Sequence, residues 1–196
     1  MIYGDRKLIN EQLANLKPNR YSGPMNKSIL ILSALLIFVF VSSSSAFAQQ
    51  KSPKPLGTFK DWQAYSWVEN GKTLCYMLSR PNKSTPKGVN RDDIYLMVTY
   101  RPSSSSKEEV SHITGYSYME KSTVDVLIGN RKFVLATNND VAWVPEGESD
   151  AKLISAMRGG SKLVVKGKST RGTLTTDSYS LQGFTAAHKQ IRKSCT

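Results

Sequence analysis

Two histidines and two cysteines, His112, His188, Cys75 and Cys195, supply all the imidazole and thiol chemistry of this 196-residue chain. An imidazole works as a base near neutral pH only when a nucleophile, a metal or an orienting group stands beside it. His112 lies in a Ser/Thr/Tyr-rich segment that supplies no local catalytic partner. His188 falls on the apolar stripe of a terminal helix, the place of a hydrogen-bonded core histidine rather than a base. No HExxH, CxxC or clustered His/Asp spacing offers a metal site, and no G-x-S-x-G offers a serine nucleophile. "GKST" at 167–170 resembles the end of a phosphate-binding loop, but the glycine needed five residues before Gly167 is Lys162. No catalytic residue, metal or cofactor is therefore expected.

Charge offers more. If 162–168 is a strand, Lys162, Lys166 and Lys168 share one side, with Arg171 just beyond. A row of like charge concentrates anions and speeds encounter with them. The plainer alternatives are a solvated strand face, or an edge strand whose lysines discourage aggregation. Nucleic acid is a poor candidate, because nothing resembles an aromatic stacking platform interleaved with arginines.

The elements that position these residues begin after a leader. "MNKSILILSALLIFVFVSSSSAFAQQ" (25–50) has a basic start at Lys27 and an Ile29–Val41 run broken only by Ser33. It closes on Ala46-Phe47-Ala48. That order describes a secretory signal peptide cut after Ala48. A membrane anchor is the rival reading, but a spanning helix needs about 20 apolar residues. No cysteine follows the cut to carry a lipid, so a lipid-anchored form is not expected and the protein reads as periplasmic or secreted. The polar stretch 1–24 reads as an over-called start or a long n-region. The remaining 148 residues (49–196) carry 22 basic against 13 acidic side chains, a formal +9. That length makes one domain, able to bury about two-thirds of its unfolded surface.

Residues 49–56, "QQKSPKPL", read as a flexible lead-in to a single domain over 57–196. Short Val/Ile/Tyr/Thr/Trp-rich runs follow, the signature of strands. "WQAYSWV" and "TLCYMLS" flank Asn70-Gly71, a hairpin signal, and "TVDVLI" and "RKFVLAT" flank Gly129-Asn130. "DIYLMVTY" alternates to put Ile94, Leu96 and Val98 on one face, while 101–109 reads as a surface loop. "SDAKLISAMRGG" predicts a helix started at Ser149 or Asp150 and stopped at Gly159-Gly160, with Leu153, Ile154, Ala156 and Met157 on one side. Strands "KLVVKGK" and "GTLTTDSYSL" come next. In the last helix, from about Phe184, residues Phe184, Ala187, His188, Ile191 and Cys195 form one stripe. The fold class is mainly β, an antiparallel sandwich or barrel-like domain with two short helices in the C-terminal half.

An exported chain with two cysteines is expected to oxidise them, and one intramolecular pairing exists, Cys75–Cys195. Such a crosslink closes most of the domain into a loop, worth up to about 4–5 kcal/mol by chain entropy. The alternative leaves Cys75 a buried thiol and pairs Cys195 between molecules.

Together these pieces resemble the invasion-associated locus B family of Gram-negative bacteria. The most specific is "SLxGFTAA", Ser180 through Ala187. The "DW" pair (Asp61-Trp62) and the "A-x₅-M-x₂-G" helix ending within 149–160 support it, and the likeness spans most of 57–196. The resemblance implies an exported, mostly β protein of a family with one branch tied to host-cell invasion. This chain departs from the fuller cysteine pattern: Ser66 stands four residues after the tryptophan, and "ATNNDVAWVPEGES" lacks a cysteine pair. It reads as a divergent two-cysteine member.

The expected function is a non-enzymatic envelope or virulence-associated protein that binds an anionic envelope or host-surface component, through Lys162, Lys166, Lys168 and Arg171. One alternative is an envelope-modifying enzyme using His112 with tyrosine or carboxylate partners assembled by folding. Another is a structural or chaperone-like periplasmic factor whose charge serves solubility.

Overall fold

The computed structural model describes residues 52–195. The signal peptide expected at 25–48 and the extension 1–24 lie outside the described residues.

Among the described residues, eleven strands form one antiparallel sheet: β1 (Lys54–Phe59), β2 (Trp62–Glu69), β3 (Lys72–Ser79), β4 (Lys83–Thr85), β5 (Tyr95–Tyr100), β6 (Glu108–Ile113), β7 (Thr123–Ile128), β8 (Arg131–Asn138), β9 (Val141–Trp143), β10 (Lys162–Lys168) and β11 (Leu174–Ser180). Their order is β1-β2-β3-β5-β6-β9-β8-β7-β10-β11-β4. The two helices among the described residues, α1 (Asp150–Gly159) and α2 (Phe184–Ser194), both lie in the C-terminal half. The mainly antiparallel class read from the sequence is the observed one.

Local chemistry sets the hairpins. Asn70 and Gly71 both take positive φ (48° and 76°), as a type I′ turn requires, and β2 pairs with β3 from Glu69↔Lys72 outward. Gly129 (φ 57°) turns β7 into β8 through Ile128↔Arg131.

The sheet curls on itself. Trp62 of β2 donates its indole N–H to the carbonyl of Ser180 of β11 at 3.1 Å, though seven strands separate them in the sheet. One apolar core fills the curl, from Trp62, Met77, Leu96 and Val98 to Leu135, Leu163, Val165 and Tyr179. Helix α1 adds Leu153, Ile154, Ala156 and Met157 and turns its other face to solvent, as its periodicity predicts. The helix stops where expected, but Gly160 is extended (φ −95°) rather than left-handed. A Cβ there would lie 2.6 Å from Ile128 Cγ2, so close packing demands this glycine.

Two expectations need correction. The last part of the lead-in, 54–56, is not irregular: β1 begins at Lys54 and pairs with β2 through a bulge between Pro55 and Gly57. Proline fits because β1 is an edge strand, where a missing N–H costs little. The edge-strand alternative for 162–168 also fails, since β10 pairs with β7 on one side and β11 on the other.

Candidate functional site

The "SLQGFTAA" stretch forms the joint between sheet and terminal helix. Phe184 meets Trp62 edge-on, centroids 5.0 Å apart at 84°, so the "DW" pair and this segment pack as one unit. Gly183 (φ 91°) holds the turn, and a Cβ there would overlap the carbonyl of Phe59. Neither requirement tolerates a larger residue. Phe184, Ala187, His188 and Ile191 are the buried residues of α2, and buried Cys195 follows the helix. Cys195 bonds Cys75 at 2.11 Å, across 120 residues of sequence. The expected intramolecular bridge is therefore the observed one. The bridge ties α2 to β3 in the middle of the core.

Folding does gather partners around His112. Its Nδ1 lies 2.7 Å from the Tyr118 hydroxyl and its Nε2 2.9 Å from that of Tyr179. A neutral imidazole has one donor and one acceptor nitrogen, so one hydroxyl donates to the ring and the other accepts from it. Asp177 Oδ2 stands 3.8 Å from Nε2 and is clamped by Arg91 through two bonds of 2.8 and 2.7 Å. Arg91 also donates to the Thr114 carbonyl and lies over the Tyr116 ring. Burial pushes the His112 pKa down to about 4; Asp177 opposes this and Arg91 reinforces it. Burial likewise drives the Tyr118 and Tyr179 hydroxyls well above their usual value. His112 is 1 % exposed, so a substrate has no path to its ring without opening the core. The cluster works as a satisfied polar plug inside the curl.

His188 is similarly engaged. Arg158 Nη2 lies 3.0 Å from Nδ1, and a guanidinium can only donate, so Nδ1 accepts. Nε2 then carries the proton and donates to Glu108 Oε1 at 2.8 Å. Burial lowers this pKa; Glu108 opposes and Arg158 adds to the lowering. With both nitrogens occupied, His188 is the hydrogen-bonded core histidine its stripe position predicts. A cavity of about 360 Å³ lies beside Glu108, lined also by Asp150 and Arg192. Two of its carboxylates are engaged: Arg192 sits 3.7 Å from Glu108, and Asp150 accepts the Val110 N–H at 2.7 Å.

The lysine row stands as the alternation predicts. Lys162, Lys166 and Lys168 are exposed while Leu163, Val165 and Gly167 point inward and are buried. Gly167 abuts Tyr118 and Tyr116, so "GKST" is a strand end rather than a phosphate loop. Arg171 is exposed in the β10–β11 turn. The register extends the row in ways the sequence hides. Val164 is flanked by Leu127 and Ser178, and these in turn by Lys132 and Lys83. Lys166 neighbours Asp125, whose carboxylate is bound at 2.9 Å by Lys132. Leu174, 73 % exposed, sits across from Lys168.

Sequence reasoning missed the Arg91–Asp177 pair. The available signal was Asp177 itself, at an inward position between Thr175 and Tyr179 on "TLTTDSYS". Among the described residues, no three His, Cys, Asp or Glu side chains group closely enough to hold a metal ion. Among them, too, no helix is long and apolar enough to cross a membrane.

Fold and crosslink together define a disulfide-clamped antiparallel β domain with its terminal helix locked into the core. The chain belongs to the invasion associated locus B (IalB) family, whose model matches residues 62–192. A similar solved structure is the crystal structure of invasion associated protein b from Bartonella henselae, with TM-score 0.53 and 13 % identity. The match covers 70 % of this chain and 95 % of that one. At this identity the likeness concerns the fold. No curated protein matches the chain.

Proposed function

We propose that this chain is an exported, non-enzymatic envelope protein of the periplasm or cell exterior that acts by binding. Its contact surface is the outward face of β10 with the adjoining strands, and its partner is an anionic component of the envelope or of a host surface. The observation that carries this reading is the alignment of exposed Lys162, Lys166 and Lys168 on one face, flanked by Lys83 and Lys132. Arg171 extends the charge at one end. Export is supported by the leader pattern before Ala48 and by the disulfide, which persists in oxidising compartments. The binding mode is supported over catalysis by the two buried histidines, each with both ring nitrogens engaged. The similar solved structure is that of an invasion associated protein; a host surface is the setting in which such a face would meet its partner.

A pull-down from envelope extract tests the reading. Exposed charges are screened as the Debye length falls from about 8 Å at physiological salt to about 3 Å at 1 M. Retention at low salt and release at high salt is the expected result. Retention indifferent to salt, or none at either, overturns it.

A further inference from the structure

Between β8 and the chain leaving β9, the sheet forks. β9 is short, and its pairing with β8 runs from Asn138↔Val141 only to Ala136↔Trp143. Val144 and Pro145 then depart, proline having no N–H to continue a ladder. The rest of β8, from Arg131 to Leu135, is paired to β7 alone.

Hydrogen-bond alternation fixes where that free edge points. The two-residue Gly129-Asn130 turn makes Ile128 and Arg131 a bonded pair, so Phe133 and Leu135 also bond toward β7. Lys132 and Val134 then direct their N–H and C=O groups into the fork. No backbone hydrogen bond among the described residues meets them there. A groove of about 310 Å³ opens at this edge, walled by Phe133, Val134, Val144 and Pro145 with Lys132 and Lys152. That volume is at the lower end for ligand sites. Glu148 also lines it, so two cations face one carboxylate. Lys132 reaches Asp125, but the two side chains are 56 % and 36 % exposed. A pair that open to solvent is worth little and re-pairs readily.

We infer that the Lys132–Val134 edge of β8 and its groove form a binding site for an extended peptide segment with alternating apolar and acidic side chains. The peptide adds a short strand: its backbone bonds Lys132 and Val134. Its side chains alternate between the two faces of the sheet. Acidic ones meet Lys132 on the outward side; apolar ones meet Phe133 on the other. A free ladder edge is what a peptide can use and a simple anion or lipid cannot, which separates this site from the Lys162–Lys166–Lys168 face. It goes beyond the proposed anionic contact and stands without it.

Amide hydrogen exchange followed by NMR tests the site on the folded chain. In the free protein, Phe133 and Leu135 amides should be protected and those of Lys132 and Val134 should not. The probe is a labelled peptide of about eight residues alternating valine and glutamate. Its binding should slow exchange at Lys132 and Val134. The same peptide N-methylated at alternate residues, and a valine/lysine version, should bind about tenfold or more weakly. Val134→Pro removes a groove-facing N–H and no N–H that bonds β7, and should weaken binding about tenfold. Should that variant fail to fold, the exchange pattern and the N-methylated peptide decide. Binding without protection of those two amides, equal binding of the N-methylated peptide, or no binding at millimolar concentration each overturns the inference.

Discussion

Acidification from pH 7 to pH 5 should destabilise this domain through His112. The ring is buried with its nitrogens on Tyr118 and Tyr179, and its pKa falls from the ordinary 6.5 to about 4. In the unfolded chain the imidazole gains a proton near 6.5; in the folded chain it does so only near 4. Between those values the unfolded state binds more protons, so stability falls as pH falls. The full shift corresponds to about 3 kcal/mol, and about 2 kcal/mol of it is lost by pH 5. His188 shifts in the same direction, because burial lowers its pKa too. Denaturant midpoints at pH 7, 6 and 5 should therefore be compared in the wild type and in His188→Gln, with the His112 ring followed by NMR. The variant should keep the drop belonging to His112. A His112 resonance titrating near 6.5, or a stability flat from pH 7 to 5 in His188→Gln, would refute the reasoning.

Other perturbations should act through the joint between sheet and helix. Replacing Cys75 and Cys195 together by alanine opens a crosslink spanning 120 residues, which chain entropy values at about 5 kcal/mol and measured cases at about 2–5. The denaturation midpoint should fall accordingly, and an unchanged midpoint would deny the clamp its role. Gly183→Ala forces a side chain at φ 91° into the Phe59 carbonyl and should cost about 2 kcal/mol or more. Equal stability of that variant and the wild type would contradict the close approach of Gly183 to the Phe59 carbonyl.

How much was legible in the sequence followed from how local each cause is. Asn70-Gly71 and Gly129-Asn130 announce hairpins because the positive φ of Asn70, Gly71 and Gly129 is one those residue types adopt readily. The stripe Phe184–Ala187–His188–Ile191 announces a packed helix by its period, and with it the position of Cys195. Lysines at alternate positions announce one charged face of β10, but not whether that strand is at an edge. Sheet order depends on pairings with β7 and β11 that no short window contains. β1 was hidden by Pro55, whose tolerance follows from an edge position visible only in the assembled sheet. The Arg91–Asp177 pair spans 86 residues and is brought together by the curl of the sheet. The peptide-edge fork arises where a three-residue strand runs out beside an eight-residue one.

Charge reversal on the lysine face tests the binding account most directly. Lys162→Glu, Lys166→Glu and Lys168→Glu together should lower envelope association and flatten its salt dependence. A control reversing exposed Lys72, Lys189 and Lys193 makes the same change in net charge elsewhere on the surface. The account predicts that the β10 variant loses association while the control retains most of it. Equal partitioning of both variants and the wild type at every salt concentration would contradict it.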